Sequence, residues 1–268
     1  MQKFSTTTTK QSIISLAKKS IILLALWYRF GIHNVNRNAI IRLAIYPNVG
    51  IAFNRVKKNA NTSTVIFLRE LESGSEEGRR VAKRKSVYRK LPVSELIRLS
   101  RMRFLVITRN PYTRLLSAFL DKFRPGRDDY RKRYLDVDCD PEGFRKFVFW
   151  LKNGGLERDK HWDLQTKLMV LPLGLYDVVI KLEKFRIDML KFFETEQKTI
   201  PADKLNFLHP SDSDKKTDAE SLLHVFYTCD IKDIVYDLYK KDFDELLYCG
   251  DFPVKLENWQ SGHSKAQN

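Results

Sequence analysis

The sequence predicts an α/β domain of three layers, with a central, mainly parallel sheet and helices on both faces. Two strand–loop–helix units in the first half of the chain indicate this class. In the first unit, the strand 51–56 (IAFNRV) leads through a polar loop to a helix over about 63–72. In the second, the apolar strand 104–108 (FLVIT) runs directly into a helix that begins at Asn110 and Pro111. Because ligands of such domains bind at the carboxyl ends of the strands, functional residues are expected at these two bends.

The remaining elements follow from apolar spacing and from capping signals. Asn110 is a good N-cap, and Pro111 suits the first helical position. Hydroxyl residues near Ser63 are expected to cap the first of the two helices, and Ser94 to cap a short one. Further helices are predicted over 11–32, 95–102, 144–151, 184–194 and 231–247, a strand over 176–183, loops over 73–90 and 206–221, and a transitional segment over 33–50.

The length of the chain predicts a single globular domain. Its 268 residues, 43% of them hydrophobic, are enough for one sizeable core and too few to expect two. We therefore predict a helical N-terminal extension over 1–50, the main domain over 51–250 and a C-terminal tail over 251–268.

The charge of the chain points to an anionic ligand or partner. Its formal net charge is +15 and its isoelectric point is about 9.6. The basic tract 79–103 is open to three interpretations: a solvated face, a docking site for a glycan, or a nucleic-acid site. Nucleic acid is the weakest of them, because Tyr88 is the only aromatic residue there that could stack on a base. No nucleic-acid partner is therefore expected.

No metal is expected either. Cys139, Cys229 and Cys249 lie far apart, and the five histidines form no pair with the spacing of metal ligands.

The apolar run 20–32 is the longest in the chain. It is shorter than the ~20 residues of a bilayer span, and it contains Arg29. A helix docked on the domain is expected, with peripheral membrane contact through 13–32 as the alternative. The glycosylation pattern Asn61-Thr62-Ser63 lies inside the proposed ligand loop, where a glycan would block binding, which favours a cytoplasmic location. Membrane association through the N-terminal helix stays the alternative.

The two bends have the composition of anion-binding sites. The amino end of a helix presents unpaired N–H groups and the positive end of the helix dipole. At the first bend, Arg55, Lys57 and Lys58 precede the polar run 61–64. At the second, Arg109 ends the strand and Ser117 follows two helical turns later. Two such sites imply a ligand that carries phosphates at both ends.

Two other classes of protein share some of these features. A P-loop nucleotide kinase would need G-x-x-x-x-G-K-[ST], but the loop KKNANT contains no glycine and its lysines come first. A basic protein that binds nucleic acid or acidic glycans without catalysis would also be positively charged. Both classes stay as alternatives.

Five segments together resemble a known family, the PAPS-dependent sulfotransferases, in their carbohydrate (Golgi-type) branch. PAPS is 3′-phosphoadenosine 5′-phosphosulfate. The similar segments, in order, are Lys57 to Ser63 with Lys57 in place of the usual proline, Arg109 to Phe123 (RNPYTRLLSAFLDKF), His161-Trp162 with Gln165, Tyr176-Asp177 with Lys181 and Glu183, and 238–248 (LYKKDFDELLY). The resemblance therefore runs from about residue 51 to 248.

This resemblance implies a P-loop NTPase-like sulfotransferase fold and transfer of a sulfuryl group from PAPS to a hydroxyl of a carbohydrate or another acceptor, with no metal. Lys58 would stabilise the leaving phosphate. The base is His161 or a carboxylate, and a packed structural role for His161 is equally open. The expected donor-binding residues are Arg55, Lys57, Lys58, Asn59, Ala60, Asn61, Thr62, Ser63 and Thr64 at the first bend, and Arg109 and Ser117 at the second. The oligomeric state is unknown from sequence.

Overall fold

The computed structural model describes residues 5–75, 79–85, 87, 90–196 and 218–253. The chain divides into two compact units: a sheet unit of residues 1–108 and 167–210, and a helical unit of residues 109–166 and 211–268. The predicted boundaries near residues 50 and 250 stay a prediction. Residues 254–268 of the predicted tail and 206–217 of the predicted loop lie outside the described residues.

The helices of the described part have the following bounds. They are α1 (Ser5–Phe30), α2 (Asn61–Ser73), α3 (Arg79–Lys85), α4 (Val93–Ile97), α5 (Pro111–Lys122), α6 (Asp128–Arg133), α7 (Pro141–Trp150), α8 (Gln165–Leu168), α9 (Phe185–Thr195), α10 (Leu223–Phe226) and α11 (Cys229–Glu245). Short 3₁₀ turns join several of them, and a π-helical turn, Leu151–Gly155, extends α7.

The described strands form one sheet in the sheet unit. They are β1 (Leu43–Tyr46), β2 (Ile51–Asn54), β3 (Arg103–Thr108) and β4 (Val178–Lys181), in that spatial order. β1 pairs antiparallel with β2, while β2 with β3 and β3 with β4 pair in parallel. The predicted α/β class with a mainly parallel sheet is therefore confirmed.

Helices cover both faces of this sheet. On one face, Phe53 and Leu105 belong to a buried cluster with Phe67 of α2 and Phe193 of α9, whose rings meet edge to face at 5.7 Å. On the other face, Phe104 packs against Phe30 of α1 with ring centroids 5.0 Å apart. The alternation of side chains along β3 thus supplies both layers of core.

The N-terminal helix is docked on the sheet unit through one of its faces. Leu26 is fully buried, and Arg29 binds both carboxylate oxygens of Asp177 at 2.7 and 2.8 Å. The opposite face is exposed and apolar, with Ile13 and Leu24 each about 60% exposed. No helix within the described ranges is long and apolar enough to cross a bilayer. Membrane contact through residues 13–32 stays a prediction.

The helical unit is built around aromatic side chains. Phe119 and Phe123 of α5, Phe147 of α7 and Tyr239 of α11 are buried in one cluster with Trp162. Because the apolar faces of α5, α7 and α11 converge on this cluster, the helices hold the intervening loops in defined positions.

Three local predictions were wrong. The charged stretch 73–90 contains a helix, α3, where a loop was expected. Ser94 lies inside α4, whose N-cap position is occupied by Pro92. The helix after the first bend starts two residues before Ser63, and its N-cap position is Ala60, which has no hydroxyl group.

Candidate active site

The first bend is a strained loop in the sheet unit. Lys58 and Ala60 both have positive φ angles, 69° and 48°. A left-handed conformation costs a residue other than glycine about 1–2 kcal/mol, and such strain persists where surrounding contacts impose it, often at functional sites. The adjacent Lys57 is half-buried, as is Lys58. The loop therefore has one fixed shape with two lysines in it.

Two side-chain amides, one just before the loop and one within it, are hydrogen-bonded to other segments of the sheet unit. Asn54, at the end of β2, accepts hydrogen bonds from the Val170 N–H at 2.7 Å and the Tyr176 hydroxyl at 2.8 Å. Asn59, in the loop, donates to the Ile107 carbonyl of β3 at 2.8 Å. The Asn59 side chain thus has a structural task, and so does the tyrosine of the Tyr176-Asp177 segment.

The amino end of α2 fits an anion. Ala60 offers no capping side chain, and the first turn contains no acidic residue. The Thr64 hydroxyl donates to the Ala60 carbonyl at 3.0 Å, so this hydroxyl is bonded within the helix start. An uncapped start presents backbone N–H groups together with the positive end of the helix dipole. These groups, with Lys57 and Lys58 beside them, fit a phosphate.

Arg55 is bonded to the segment before β1. Its Nε donates to the Arg42 carbonyl and one terminal nitrogen donates to the Ile41 carbonyl, each at 3.2 Å. Burial lowers the pKa of this guanidinium from its ordinary value. These bonds orient Arg55 toward the 3₁₀ turn Ile40–Arg42, and its contact with a ligand stays a prediction.

The second bend belongs to the helical unit and is held by Gln165. The Arg109 N–H donates to the Gln165 side-chain oxygen at 3.0 Å, and the Gln165 amide donates back to the Arg109 carbonyl at 2.7 Å. Asn110 caps α5 as predicted, by accepting from the Tyr112 N–H at 2.9 Å. Gln165 belongs to the His161–Gln165 segment, so these bonds explain why a glutamine suits that position.

Arg109 and Ser117 lie on the same side of α5. The Arg109 Nε donates to the Thr113 hydroxyl at 3.2 Å. Ser117 follows Thr113 by four residues, which places both side chains on one helix face. Ser117 is only 3% exposed. A ligand that contacts its hydroxyl would have to lie close against the helix.

A buried carboxylate accepts hydrogen bonds from the backbone of the segment that holds the second bend. Asp242 of α11 accepts from the Gln165 N–H at 2.7 Å and from the Thr166 N–H at 3.0 Å. Burial raises the pKa of Asp242, and the buried Arg114 guanidinium opposes that shift. Arg114 itself donates to the Asp163 carbonyl at 2.9 Å. This network joins three of the segments noted in the sequence, and neither Asp242 nor Arg114 was predicted as a site residue.

His161 is paired with Asp159. Its Nδ1 lies 2.5 Å from one Asp159 carboxylate oxygen, and the Tyr134 hydroxyl donates to the other oxygen at 3.0 Å. Burial raises the pKa of Asp159, but the hydrogen bonds from His161 and Tyr134 outweigh it and lower the value to about 2. An ionised carboxylate only accepts hydrogen bonds, so Nδ1 carries a proton, and in the neutral imidazole the lone pair is then on Nε2.

The neighbouring Trp162 fixes the backbone of this histidine. Trp162 is fully buried, and its indole N–H donates to the Gly155 carbonyl at 3.0 Å. The Tyr239 hydroxyl donates to the Trp162 carbonyl. Trp162 is therefore the packed member of the pair, while the His161 side chain keeps 17% of its surface exposed. Sequence alone could not separate these two roles.

The structure thus groups the predicted site residues in two sets. Residues 55–64 lie in the sheet unit, and Arg109, Ser117 and His161 lie in the helical unit. Within the described ranges, no three His, Cys, Asp or Glu side chains are grouped so that they could hold a metal ion.

Comparison with known protein families shows a match over most of the chain. The model of the sulfotransferase family matches residues 42–248, which include both bends, the His161–Gln165 segment and all of α11. No curated protein and no solved structure matches the chain.

Proposed function

The chain belongs to the sulfotransferase family, and from this premise we propose that it transfers a sulfuryl group from PAPS to a hydroxyl of a carbohydrate. The observation that carries the proposal is the strained lysine loop before the uncapped start of α2. Such a start binds phosphate, and the adjacent lysines supply the charge that a phosphosulfate requires.

The first bend would bind the 5′-phosphosulfate end of the donor. Backbone N–H groups and hydroxyls of the run 61–63 would orient the phosphate. Lys58 would lie at the bridging oxygen, where negative charge grows as the S–O bond breaks. Fixed positive groups at that position stabilise the transition state more than the ground state, which is what accelerates the reaction.

The second bend would bind the 3′-phosphate. Arg109 supplies a guanidinium that can hold two phosphate oxygens at once, and Ser117 supplies a hydroxyl donor on the same face of α5. The bonds from Gln165 fix the Arg109 backbone in advance, so little entropy would be lost on binding. A 3′-phosphate site distinguishes PAPS from ATP.

In the proposed reaction, the acceptor oxygen attacks sulfur in line with the bond to the 5′-phosphate. A new O–S bond forms, the old S–O bond breaks, and adenosine 3′,5′-bisphosphate leaves with the electron pair. His161 Nε2 takes the proton of the acceptor hydroxyl, and Asp159 stabilises the imidazolium that results. No residue of this scheme requires a metal.

A carbohydrate is proposed as the acceptor because the chain resembles the carbohydrate branch between residues 51 and 248. Its +15 net charge suits an acidic glycan. A cytoplasmic location is proposed with it, since a glycan on Asn61 would block the donor loop.

The test is a thermal-shift comparison that needs no acceptor. Adenosine 3′,5′-bisphosphate is expected to raise the melting temperature of the protein, because a ligand stabilises the folded state it binds. ATP with Mg²⁺ should raise it much less, since ATP has no 3′-phosphate for Arg109. A larger shift with ATP would favour a nucleotide kinase instead. Tight binding of duplex DNA without binding of the bisphosphate would favour a basic binding protein.

A further inference from the structure

One lysine of the basic tract 79–103 reaches the loop at the first bend. The Lys83 Nζ, on α3, donates a hydrogen bond to the Thr62 hydroxyl oxygen at 3.0 Å. Thr62 lies in the first turn of α2, at the uncapped end described above. Lys83 therefore adds a positive charge to the group of cations around this helix start.

The position of Lys83 is set by its neighbours in the sheet unit. The preceding residue, Ala82, is fully buried in the core cluster that includes Val65 and Leu68 of α2. After α3, Val87 forms a β-bridge with Ala44 of β1. Because the chain is attached to the sheet unit within α3 and again just after it, the lysine side chain starts from a constrained backbone, and less conformational entropy is lost when it binds.

The other described basic side chains of α3 behave differently. Arg80 and Arg84 are exposed, whereas Lys83 is half-buried. A solvated basic face would expose all of these cations alike, so the tract is not uniform. Lys83 contacts the loop, whereas Arg80 and Arg84 face water.

The bond between Lys83 and Thr62 leaves the threonine hydroxyl suited to an anion. The hydroxyl oxygen accepts from the ammonium group, so its own hydrogen can point to a phosphate oxygen. An ammonium group has three N–H donors, so a lysine that is bonded to a hydroxyl can also donate to an anion that the hydroxyl contacts. Charge-assisted bonds of this kind are among the stronger ones in proteins.

We propose that Lys83 is a donor-binding residue whose ammonium group contacts the 5′-phosphosulfate together with the Thr62 hydroxyl. The inference rests on the proposed function, because it requires the donor at the start of α2. It assigns to one residue of the basic tract a role that is neither glycan docking nor nucleic-acid binding.

The test is a calorimetric titration of three nucleotides into the full chain. Lys83→Met should weaken binding of adenosine 3′,5′-bisphosphate and of adenosine 5′-phosphate by about tenfold or more, the usual effect of losing a hydrogen bond to a charged group. Binding of adenosine 3′-phosphate should not change. Lys83→Gln keeps an N–H donor for Thr62 without the charge, and it should weaken the binding of the same two nucleotides.

Arg84→Met is the matched control, since it removes an exposed cation from the same helix. It should leave all three affinities unchanged. If the unaltered protein does not bind the bisphosphate, the proposed function is wrong. If the unaltered protein binds it and the Lys83 variants match Arg84→Met, only the role of Lys83 is wrong. Melting temperatures without ligand, equal across the variants, would show that the differences do not come from misfolding.

Discussion

Replacing Lys58 with methionine is expected to lower the rate constant of sulfuryl transfer by about 10²–10³-fold, the usual effect of removing one group that stabilises developing negative charge. Methionine keeps the length of the aliphatic part of the side chain and removes its ammonium group. The chain keeps the loop shape, because that shape is held by Asn59 and the backbone. The measurement is transfer of labelled sulfate from PAPS to a glycan acceptor found by screening.

The matched control for this variant is Lys90→Met, which removes an exposed lysine from the same unit. Its rate should equal that of the unaltered protein. A Lys58→Met variant that kept the full rate, with an unchanged melting temperature, would show that the loop lysine has no part in catalysis.

The second large effect is expected at the pair of His161 and Asp159. Loss of a general base costs about 10²–10⁴-fold in rate, so His161→Gln should lower kcat to that extent. Asp159→Asn should lower kcat less, because the ring keeps a hydrogen-bonding partner but loses the anion that stabilises the imidazolium. Binding of adenosine 3′,5′-bisphosphate should stay unchanged in both variants.

The pH dependence separates a base from a packed structural histidine. Since the pKa of Asp159 is lowered to about 2 in the folded protein, its carboxylate is ionised throughout the range of an activity assay. The acid limb of the rate profile therefore reflects protonation of the His161 ring. In Asp159→Asn this limb should move to lower pH, because the imidazolium has lost its anion.

Other groups near the ring stay the same in that variant. The Tyr130 hydroxyl lies 3.4 Å from Nδ1, and Lys122 and Arg127 lie over the Tyr130 ring. Burial raises the pKa of Tyr130 to about 12, so this phenol is neutral in the assay range. An acid limb at the same pH in both proteins would contradict the role of His161 as base.

The same carboxylate also makes folding depend on acidity. The folded-state pKa of Asp159 lies below its ordinary value of 3.8, so its contribution to stability is complete above that value. The contribution is lost as the pH falls toward 2.

The sequence was sufficient to predict the two bends because local signals define them. β3 is a continuous apolar run, and Asn110 and Pro111 start the next helix in the way their chemistry favours. Both signals lie within a few residues, so no knowledge of the rest of the fold is needed to see them. The same is true of the short polar loop between β2 and α2.

The sequence was not sufficient for β1, which has only four residues and pairs antiparallel with β2. The turn between them contains Pro47 and Gly50, the latter with a φ of 74°, and this turn signal could have revealed the hairpin. α3 offers no such signal, because Val81 and Ala82 stand between charged residues and the burial of Ala82 depends on tertiary packing.

The hydrogen-bond partners of the site residues could not be predicted from the sequence either. Asp242 is hydrogen-bonded to Gln165, which lies 77 positions away in the sequence. Asn59 is hydrogen-bonded to Ile107, which lies 48 positions away. Such bonds exist only once the chain has folded, and one sequence contains no local pattern for them. Asp159 is close to His161, but its role follows from a side-chain geometry that spacing alone does not determine.

The central proposal is that the first bend binds the 5′ end of a nucleotide and the second bend binds the 3′ end. It is tested most directly by titrating the bisphosphate and the two monophosphates of adenosine into Lys58→Met and Arg109→Met. Lys58→Met should weaken the binding of the bisphosphate and of the 5′-phosphate. Arg109→Met should weaken the binding of the bisphosphate and of the 3′-phosphate. If neither variant changed the affinity of the bisphosphate, the proposal would be contradicted.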